Sequence, residues 1–370
     1  MRIDIISGSS ADLWILEPLL WAAANQDVNV RLIILGAHFL EHSDLGRIGS
    51  KSILDNALIL RPNSQEQLTS QNLLSDTYTS LMNLYAKDPP GRVVYLGDRL
   101  EILGAAIACH VLGIPSFHLH GGEVTAGSLD DSQRHAISKL SNAHICFSLP
   151  AAKRLERMGE DPNSIFISDS LVLDRIERIR VERRETPDSK PLLRPYCVVT
   201  IHPVTNNQEE TKQLCKVVFG VLKEQSNLDV FITGPNSDQG RETIVTEIVE
   251  TLEESPEKFR WIQHFGGDEF LKKIGDAKFV IGNSSSGILE APLLNTTSIN
   301  VGTRQTGRDQ EASVISVEPE FALVRSAIER ALAQNVENSA LLNAPLVSSG
   351  LRVLEFVMSH EPNKVKYFHD

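Results

Sequence analysis

HLHGGEVTAGSLDDSQRHAISK, residues His118–Lys139, decides how this chain is read. An apolar strand over Ile114–His120 runs into Gly121-Gly122, and a helix resumes near Asp130. Strand, small-residue turn and helix make the joint of a parallel α/β unit, and ligands bind at the carboxyl edge of such sheets. Between the strand and the helix stand Glu123, Asp130 and Asp131, with Arg134 and His135 a turn later. Three carboxylates, a guanidinium and an imidazole at a strand end make poor core and good chemistry. A helix-capping role accounts for Asp130 but for neither Asp131 nor Glu123. Asp130 with Arg134, and Asp131 with His135, share helix faces, so Arg134 also fits a purely structural pairing.

Outward from this stretch the same rhythm repeats. Arg2–Ser7 is a strand followed by Gly8-Ser9-Ser10 and a helix over Asp12–Ala24. Further strands are expected at Val28–Leu35, Ile53–Leu60, Arg92–Leu96 and Ala143–Ser148, separated by helical segments. Arg175–Lys190 (RIERIRVERRETPDSK) is a charged, Pro-containing shift in composition that reads as a linker. A second strand–helix series starts at Tyr196–Ile201. The expected organisation is an N-terminal domain over 1–174, a linker over 175–190, and a C-terminal domain over 191–345. A C-terminal helix within 346–370 is expected to pack back on the first domain. The fold class is α/β, with two doubly wound parallel sheets facing a ligand cleft.

Composition agrees and narrows the function. The 370 residues are 41% hydrophobic and 23% charged, which are globular values too long for one core. A net charge of -12 argues against nucleic acid or an anionic membrane as partner, while leaving room for a local basic pocket. The N-terminus reads directly as a strand rather than as a signal peptide, and no apolar stretch is long enough to span a membrane. Cys109, Cys146, Cys197 and Cys215 show no zinc spacing, so reduced core thiols and a cytoplasmic protein are expected.

Several more strand ends carry polar groups. Asp98 follows the strand Arg92–Leu96 through Gly97, and suits either a turn or catalysis. Carboxylates gathered in a closing cleft have their pKa values pushed apart, giving one proton acceptor and one donor. Gly282–Glu290 (GNSSSGILE) looks like an anion cradle, because small residues admit phosphate to backbone N–H groups at a helix N-terminus. Arg304 and Arg308 on the next loop suit a diphosphate. His202 after YCVVTI fits a phosphate hydrogen bond, acid catalysis or a backbone-satisfied histidine. His118 and His120 alternate on one strand face, as metal ligands would, but no third ligand is evident. The chain has neither GxxxxGK[ST] nor GxGxxG.

With these residues assembled, the sequence resembles the hydrolysing UDP-N-acetylglucosamine 2-epimerase family, the sialic-acid-pathway branch of the sugar-nucleotide 2-epimerases. The matching motifs are LGDRLE (Leu96–Glu101), HLHGGEVTAGSLDDSQRHAISKLS (His118–Ser141), GPNSDQG (Gly234–Gly240), GNSSSGILEAP (Gly282–Pro292) and INVGTRQTGR (Ile299–Arg308). The resemblance implies a GT-B fold of two Rossmann-like domains with the active site between them. It implies a UDP-linked N-acetylated sugar as substrate, anti elimination of UDP after loss of the C2 proton, and water addition to the 2-acetamidoglycal. The product would be free N-acetylmannosamine or an analogue, destined for sialic-acid-type or surface polysaccharide. By motif position Asp98, Glu123 and Asp130 match catalytic carboxylates and His202 a histidine near the leaving phosphate. Ser284, Ser285, Ser286 and Gly287 match the diphosphate turn, and Glu290 the residue that holds the ribose. Arg304, Arg308, Arg134 and Asn236 complete the expected substrate-binding set. No metal and no other cofactor is implied, and a homo-dimer or homo-tetramer is expected.

Two stretches depart from the family pattern. Ser10 stands where an arginine is usual, and Asp169-Ser170-Leu171-Val172 replaces a GSPG segment, which would place a carboxylate near the ligand. Alternatives within the fold are a non-hydrolysing UDP-N-acetylglucosamine 2-epimerase and a GT-B glycosyltransferase. A catalytically silent sugar-nucleotide binder is the alternative from another class. The DDSQRH form of the motif favours the hydrolysing branch.

Overall fold

All strand pairings among the described residues are parallel. The structure, a computed structural model, describes residues 1–35, 57–61, 70–125, 129–185, 194–204, 207–235, 240–263, 265–308, 310–334, 348–363 and 365–369. The chain divides into two compact units. The first comprises Met1–Val124, Ser128–Arg175 and Leu346–Asp370, and the second Thr125–Gly127 and Ile176–Pro345.

The first unit holds strands β1 (Ile3–Ser7), β2 (Val30–Ile34), β3 (Leu58–Ile59), β4 (Arg92–Leu96), β5 (Ser116–Leu119), β6 (Ala143–Cys146) and β7 (Ile165–Ile167), in the order β3-β2-β1-β4-β5-β6-β7. The order reverses direction at β1 and β4, so their carboxyl-end loops flank a topological switch point. Helices α1 (Ser10–Asn25), α2 (Ser70–Lys87), α3 (Leu100–Leu112), α4 (Leu129–Leu140) and α5 (Leu149–Arg157) connect the strands. The central strands β1, β4, β5 and β6 are buried on both faces, as a covered parallel sheet requires. Ile3 and Ile5 enter one apolar cluster and Ile6 another.

Helix α6 (Val172–Glu185) occupies much of the stretch expected as a linker, and the boundary between units falls inside it, after Arg175. Arg175 is why the charged composition misleads. Its guanidinium is buried, pairs with Glu17, donates from Nε to the Trp14 carbonyl at 2.8 Å, and lies 4.5 Å and 5.0 Å from the Trp14 and Trp21 rings. Helix α12 (Ser349–Ser359) packs on α1, its N-terminus held by Asp174, which accepts from the Ser349 and Gly350 N–H groups at 2.8 Å and 2.9 Å.

The second unit orders its strands β10-β9-β8-β11-β12-β13, with β8 Tyr196–Thr200, β9 Asp229–Thr233, β10 Phe259–Ile262, β11 Val280–Gly282, β12 Ser298–Val301 and β13 Val314–Val317. Its switch point lies between β8 and β11. Helices α7 (Gln208–Lys223), α8 (Arg241–Glu254), α9 (Gly267–Asp276), α10 (Ser285–Leu293) and α11 (Phe321–Ala333) complete it. All four cysteines are buried and free, and burial pushes the Cys146 and Cys215 thiols up to about 12. Among the described residues no helix is long and apolar enough to cross a membrane.

Candidate active site

In the first unit the polar groups gather at the ends of β4 and β5. Helix α4 reaches them with a buried stripe at Arg134, Ile137 and Ser138, continued by Ser141 just past its end, the spacing that keeps one helical face inward. Ser141 Oγ lies 2.6 Å from the Tyr95 hydroxyl on β4. His118 on β5 ties helix to loop, with Nδ1 3.0 Å from Ser138 Oγ and Nε2 2.7 Å from the Gly97 carbonyl. A carbonyl only accepts, so Nε2–H donates to Gly97 and Nδ1 accepts from Ser138. Burial pushes the His118 pKa down to about 3, which keeps the ring neutral and this pattern fixed. Asp98 follows directly, half-buried.

Arg134 organises the carboxylates. Its guanidinium pairs with Asp98, lies 3.5 Å from Glu123 Oε2, and donates to the His120 carbonyl at 3.3 Å. Sequence alone places Arg134 among the substrate-binding residues; here it is buried and engaged with acids of its own unit. His120 takes a left-handed backbone at φ 63°, unusual outside glycine, and sets Nδ1 2.6 Å from Glu123 Oε1. Its ring packs on Phe147 at 4.5 Å between centroids. Gly122, at φ 76°, lets the chain pass Ala151, whose carbonyl oxygen would lie 2.2 Å from any added Cβ. Asp130 is exposed in the first turn of α4, and Asp131 lies 3.5 Å from His135 one turn on.

Sequence reasoning missed a carboxyl group beside this cluster. Asp12, at the start of α1, has its pKa pushed up to about 7 by burial, against the lowering influence of Arg99 and with Glu101 and Asp98 adding to the rise. Its own backbone N–H is capped by Ser9 Oγ at 3.1 Å. The only sequence signal was an acid just after a Gly-Ser-Ser turn. Both ring nitrogens of His118 are taken by Ser138 and Gly97, and Nδ1 of His120 by Glu123. Among the described residues no group of three or more His, Cys, Asp or Glu could hold a metal ion.

In the second unit the expected anion cradle sits at the switch point. Ser284 caps α10 by accepting from the Ser286 N–H at 3.3 Å, with Gly287 in the first turn and Glu290 half-buried one turn on. A Cβ on Gly287 would lie 2.6 Å from Ser298 Oγ. Asn283 is the residue that sequence reasoning passed over. Buried, it accepts from the His202 N–H at 2.7 Å and donates to the His202 carbonyl at 2.8 Å, joining the β8 loop to the β11 loop. Its own carbonyl accepts from Gln305 at 2.8 Å and from Arg304 at 3.3 Å. Arg304 is thus set beside the N-terminus of α10, where an anion is favoured. Burial, then the charge of Arg304, pushes the His202 pKa down to about 3, so its ring is neutral and the positive charge here is arginine's. Arg308 is half-buried on the same loop, its N–H bonded to the Gln305 carbonyl at 3.2 Å. Asn236 lies outside the described residues.

The two sequence departures behave differently. Ser10 opens α1. Asp169, expected to put a carboxylate near ligand, instead pairs with Arg352 of α12 at 2.9 Å on an exposed surface.

A family model described as UDP-N-acetylglucosamine 2-epimerase matches residues 22–348. The chain belongs to that family. Among relatives of this epimerase-family chain, the UDP-N-acetylglucosamine 2-epimerase of Neisseria meningitidis serogroup B is 33% identical over 335 residues, spanning 89% of this chain and 87% of that protein. The UDP-N,N'-diacetylbacillosamine 2-epimerase (hydrolyzing) of Legionella pneumophila is 30% identical over 344 residues, or 90% and 89% of the two chains. The structure of Methanocaldococcus jannaschii UDP-GlcNAc 2-epimerase in complex with UDP-GlcNAc and UDP superposes with a TM-score of 0.76 over 97% of this chain and 100% of that one, at 17% identity. That likeness is one of fold: two Rossmann-like parallel-sheet halves, as in GT-B proteins.

Proposed function

We propose that this protein is a hydrolysing 2-epimerase of a UDP-linked acetamidohexose. It removes the C2 proton, expels UDP from C1 by anti elimination, and adds water to the resulting glycal, releasing free sugar with inverted C2. The observation that carries the reading is the Asp98–Arg134–Glu123–His120 cluster. Proton traffic at carbon needs acids and bases held in fixed positions, and simple nucleotide binding does not. The first unit supplies that half. Ser284–Ser286, Arg304 and His202 of the second unit supply a cradle for the diphosphate, the group that must gather negative charge as it leaves. Glu290 is the residue assigned to the ribose hydroxyls.

The Legionella relative, named as a hydrolysing 2-epimerase of a UDP-linked diacetamido sugar, supports both the hydrolytic outcome and an N-acetylated hexose. UDP-N-acetylglucosamine, giving N-acetylmannosamine, and a 2,4-diacetamido-trideoxy analogue are the two substrates to present. Incubation of each in deuterated water should release UDP and free sugar carrying one deuterium at C2. A product still linked to nucleotide, or no UDP and no exchange with either sugar, would overturn the assignment.

A further inference from the structure

The carboxylate that sequence assigns to catalysis, Glu123, has both oxygens engaged. Oε1 lies 2.6 Å from His120 Nδ1, and Oε2 lies 3.5 Å from the Arg134 guanidinium. A carboxylate bridged in this way by two partners is poorly placed to collect a proton from carbon. His120 is placed better. Its Nδ1 faces a carboxylate oxygen, which accepts, so the neutral ring carries its proton on Nδ1 and its lone pair on Nε2. Nε2 makes no hydrogen bond to a described residue, and the side chain retains 17% exposure.

A backbone conformation and two further contacts fix the ring. The left-handed backbone at φ 63° turns the side chain out of the strand just before the Gly-Gly break. Its N–H donates to the Ile145 carbonyl at 3.0 Å, and the ring packs against Phe147. A non-glycine residue held in this region costs on the order of 1 kcal/mol, and such outliers concentrate where orientation matters.

From this geometry we infer that His120 Nε2 is the base that accepts the C2 proton, with Glu123 as the carboxylate that orients it and offsets its charge. The inference rests on the 2-epimerase reading. In the step, the C2–H bond breaks and its proton passes to Nε2. The C–H electron pair forms the C1–C2 double bond, and the C1–O bond breaks with its pair leaving on UDP. The imidazolium so formed faces Glu123, while Arg134 keeps the other carboxylate oxygen in place. Inversion at C2 requires the returning proton to come from the opposite face, hence from another group, so His120 serves the elimination half alone.

His120→Asn separates the roles. Asparagine tolerates the left-handed backbone and can keep a donor toward Glu123, yet it has nothing at the Nε2 position. UDP release from the nucleotide sugar should fall by about 10²–10⁴-fold, the usual contribution of a positioned proton acceptor. Hydration of the isolated 2-acetamidoglycal to free sugar, and the affinity for UDP, should stay within about threefold of wild type, a small fraction of that catalytic loss. His120→Gly accepts the same backbone and, with added imidazole, should regain UDP release in proportion to the free base. Nucleotide-sugar turnover within threefold in His120→Asn would overturn the inference, as would equal loss of both half-reactions or failure of imidazole rescue. Wild-type enzyme run in parallel keeps the outcomes apart: if it releases no UDP, the functional reading has failed rather than this one.

Discussion

Replacing Asn283 with alanine should loosen the second unit at its switch point. The amide makes two hydrogen bonds to the His202 main chain, at 2.7 Å and 2.8 Å, from a side chain that is 1% exposed. Each such bond contributes about 1 kcal/mol net, and leaving its partner unsatisfied in a part-buried place adds about as much again, so the loss should be about 2–4 kcal/mol. Gln305 and Arg304 bond the Asn283 carbonyl, which the substitution leaves in place, so they do not replace the lost amide. Hydrogen exchange read by mass spectrometry is the suitable assay, since it reports β8 and β11 without unfolding the first unit. At 1.4 kcal/mol per tenfold, protection over Tyr196–Thr200 and Val280–Gly282 should fall by about 30- to 700-fold. UDP affinity, measured by calorimetry, should fall with it, because the Asn283 amide places the His202 loop. Exchange changed by less than about threefold, with unchanged UDP affinity, would refute the clamp, since it corresponds to less than about 0.7 kcal/mol.

Gly122→Ala should cost about 1–3 kcal/mol by combining a left-handed backbone with a Cβ 2.2 Å from the Ala151 carbonyl, and should cut turnover by moving Glu123. Urea unfolding and UDP release would check it, and a fully active, equally stable variant would count against the close packing. Acid should destabilise the protein well above the carboxylate range. The buried His118 has a folded pKa of about 3 against 6.5 when exposed, so its neutral form stabilises fully above pH 6.5 and is progressively lost as pH falls toward 3. Between pH 6.5 and 5 this amounts to about 2 kcal/mol. Glu160, held at about 2 by His144, Lys139 and Lys366 despite its burial, loses its stabilisation only below about pH 4.5. Urea unfolding from pH 7 to 5 should therefore show a steeper decline in wild type than in His118→Gln; parallel declines would show that His118 is protonated in the fold.

The strands were legible because parallel sheets covered on both faces leave continuous apolar runs such as RVVYL and YCVVTI, each ended by polar residues. Helix α6 was not. Its charged face hides the burial of Arg175, which depends on Glu17, Trp14 and Trp21 more than 150 positions earlier. Local composition cannot report such a partner. The same limit applies at the site. Asp98, Glu123 and Arg134 stood out as charges at strand ends, and the fold brings these three together. The roles of His120 and Asn283 depended on backbone conformation and on a loop 81 residues away, neither of which leaves a local pattern. Asp169 erred in the opposite direction: a carboxylate that looked out of place is satisfied by Arg352 on α12.

The two switch points hold opposite kinds of chemistry, and the difference follows from how each is neutralised. In the first unit Arg134 is buried between Asp98 and Glu123, so its charge is already matched by acids and cannot also serve a phosphate without releasing one of them. What such a cluster can do is hold proton-bearing groups at set positions. In the second unit the histidine is neutral and the buried polar groups are amides and hydroxyls, so Arg304 and the N-terminus of α10 act on whatever anion arrives. Reversing the assignment fails on charge. A diphosphate beside Asp98 and Glu123 would meet repulsion, and a base in the place of His202 would, like it, be kept from holding a proton by burial first and by the Arg304 guanidinium second. On the proposed function, splitting acid–base work and anion binding between the two units lets each keep the electrostatics its own task requires.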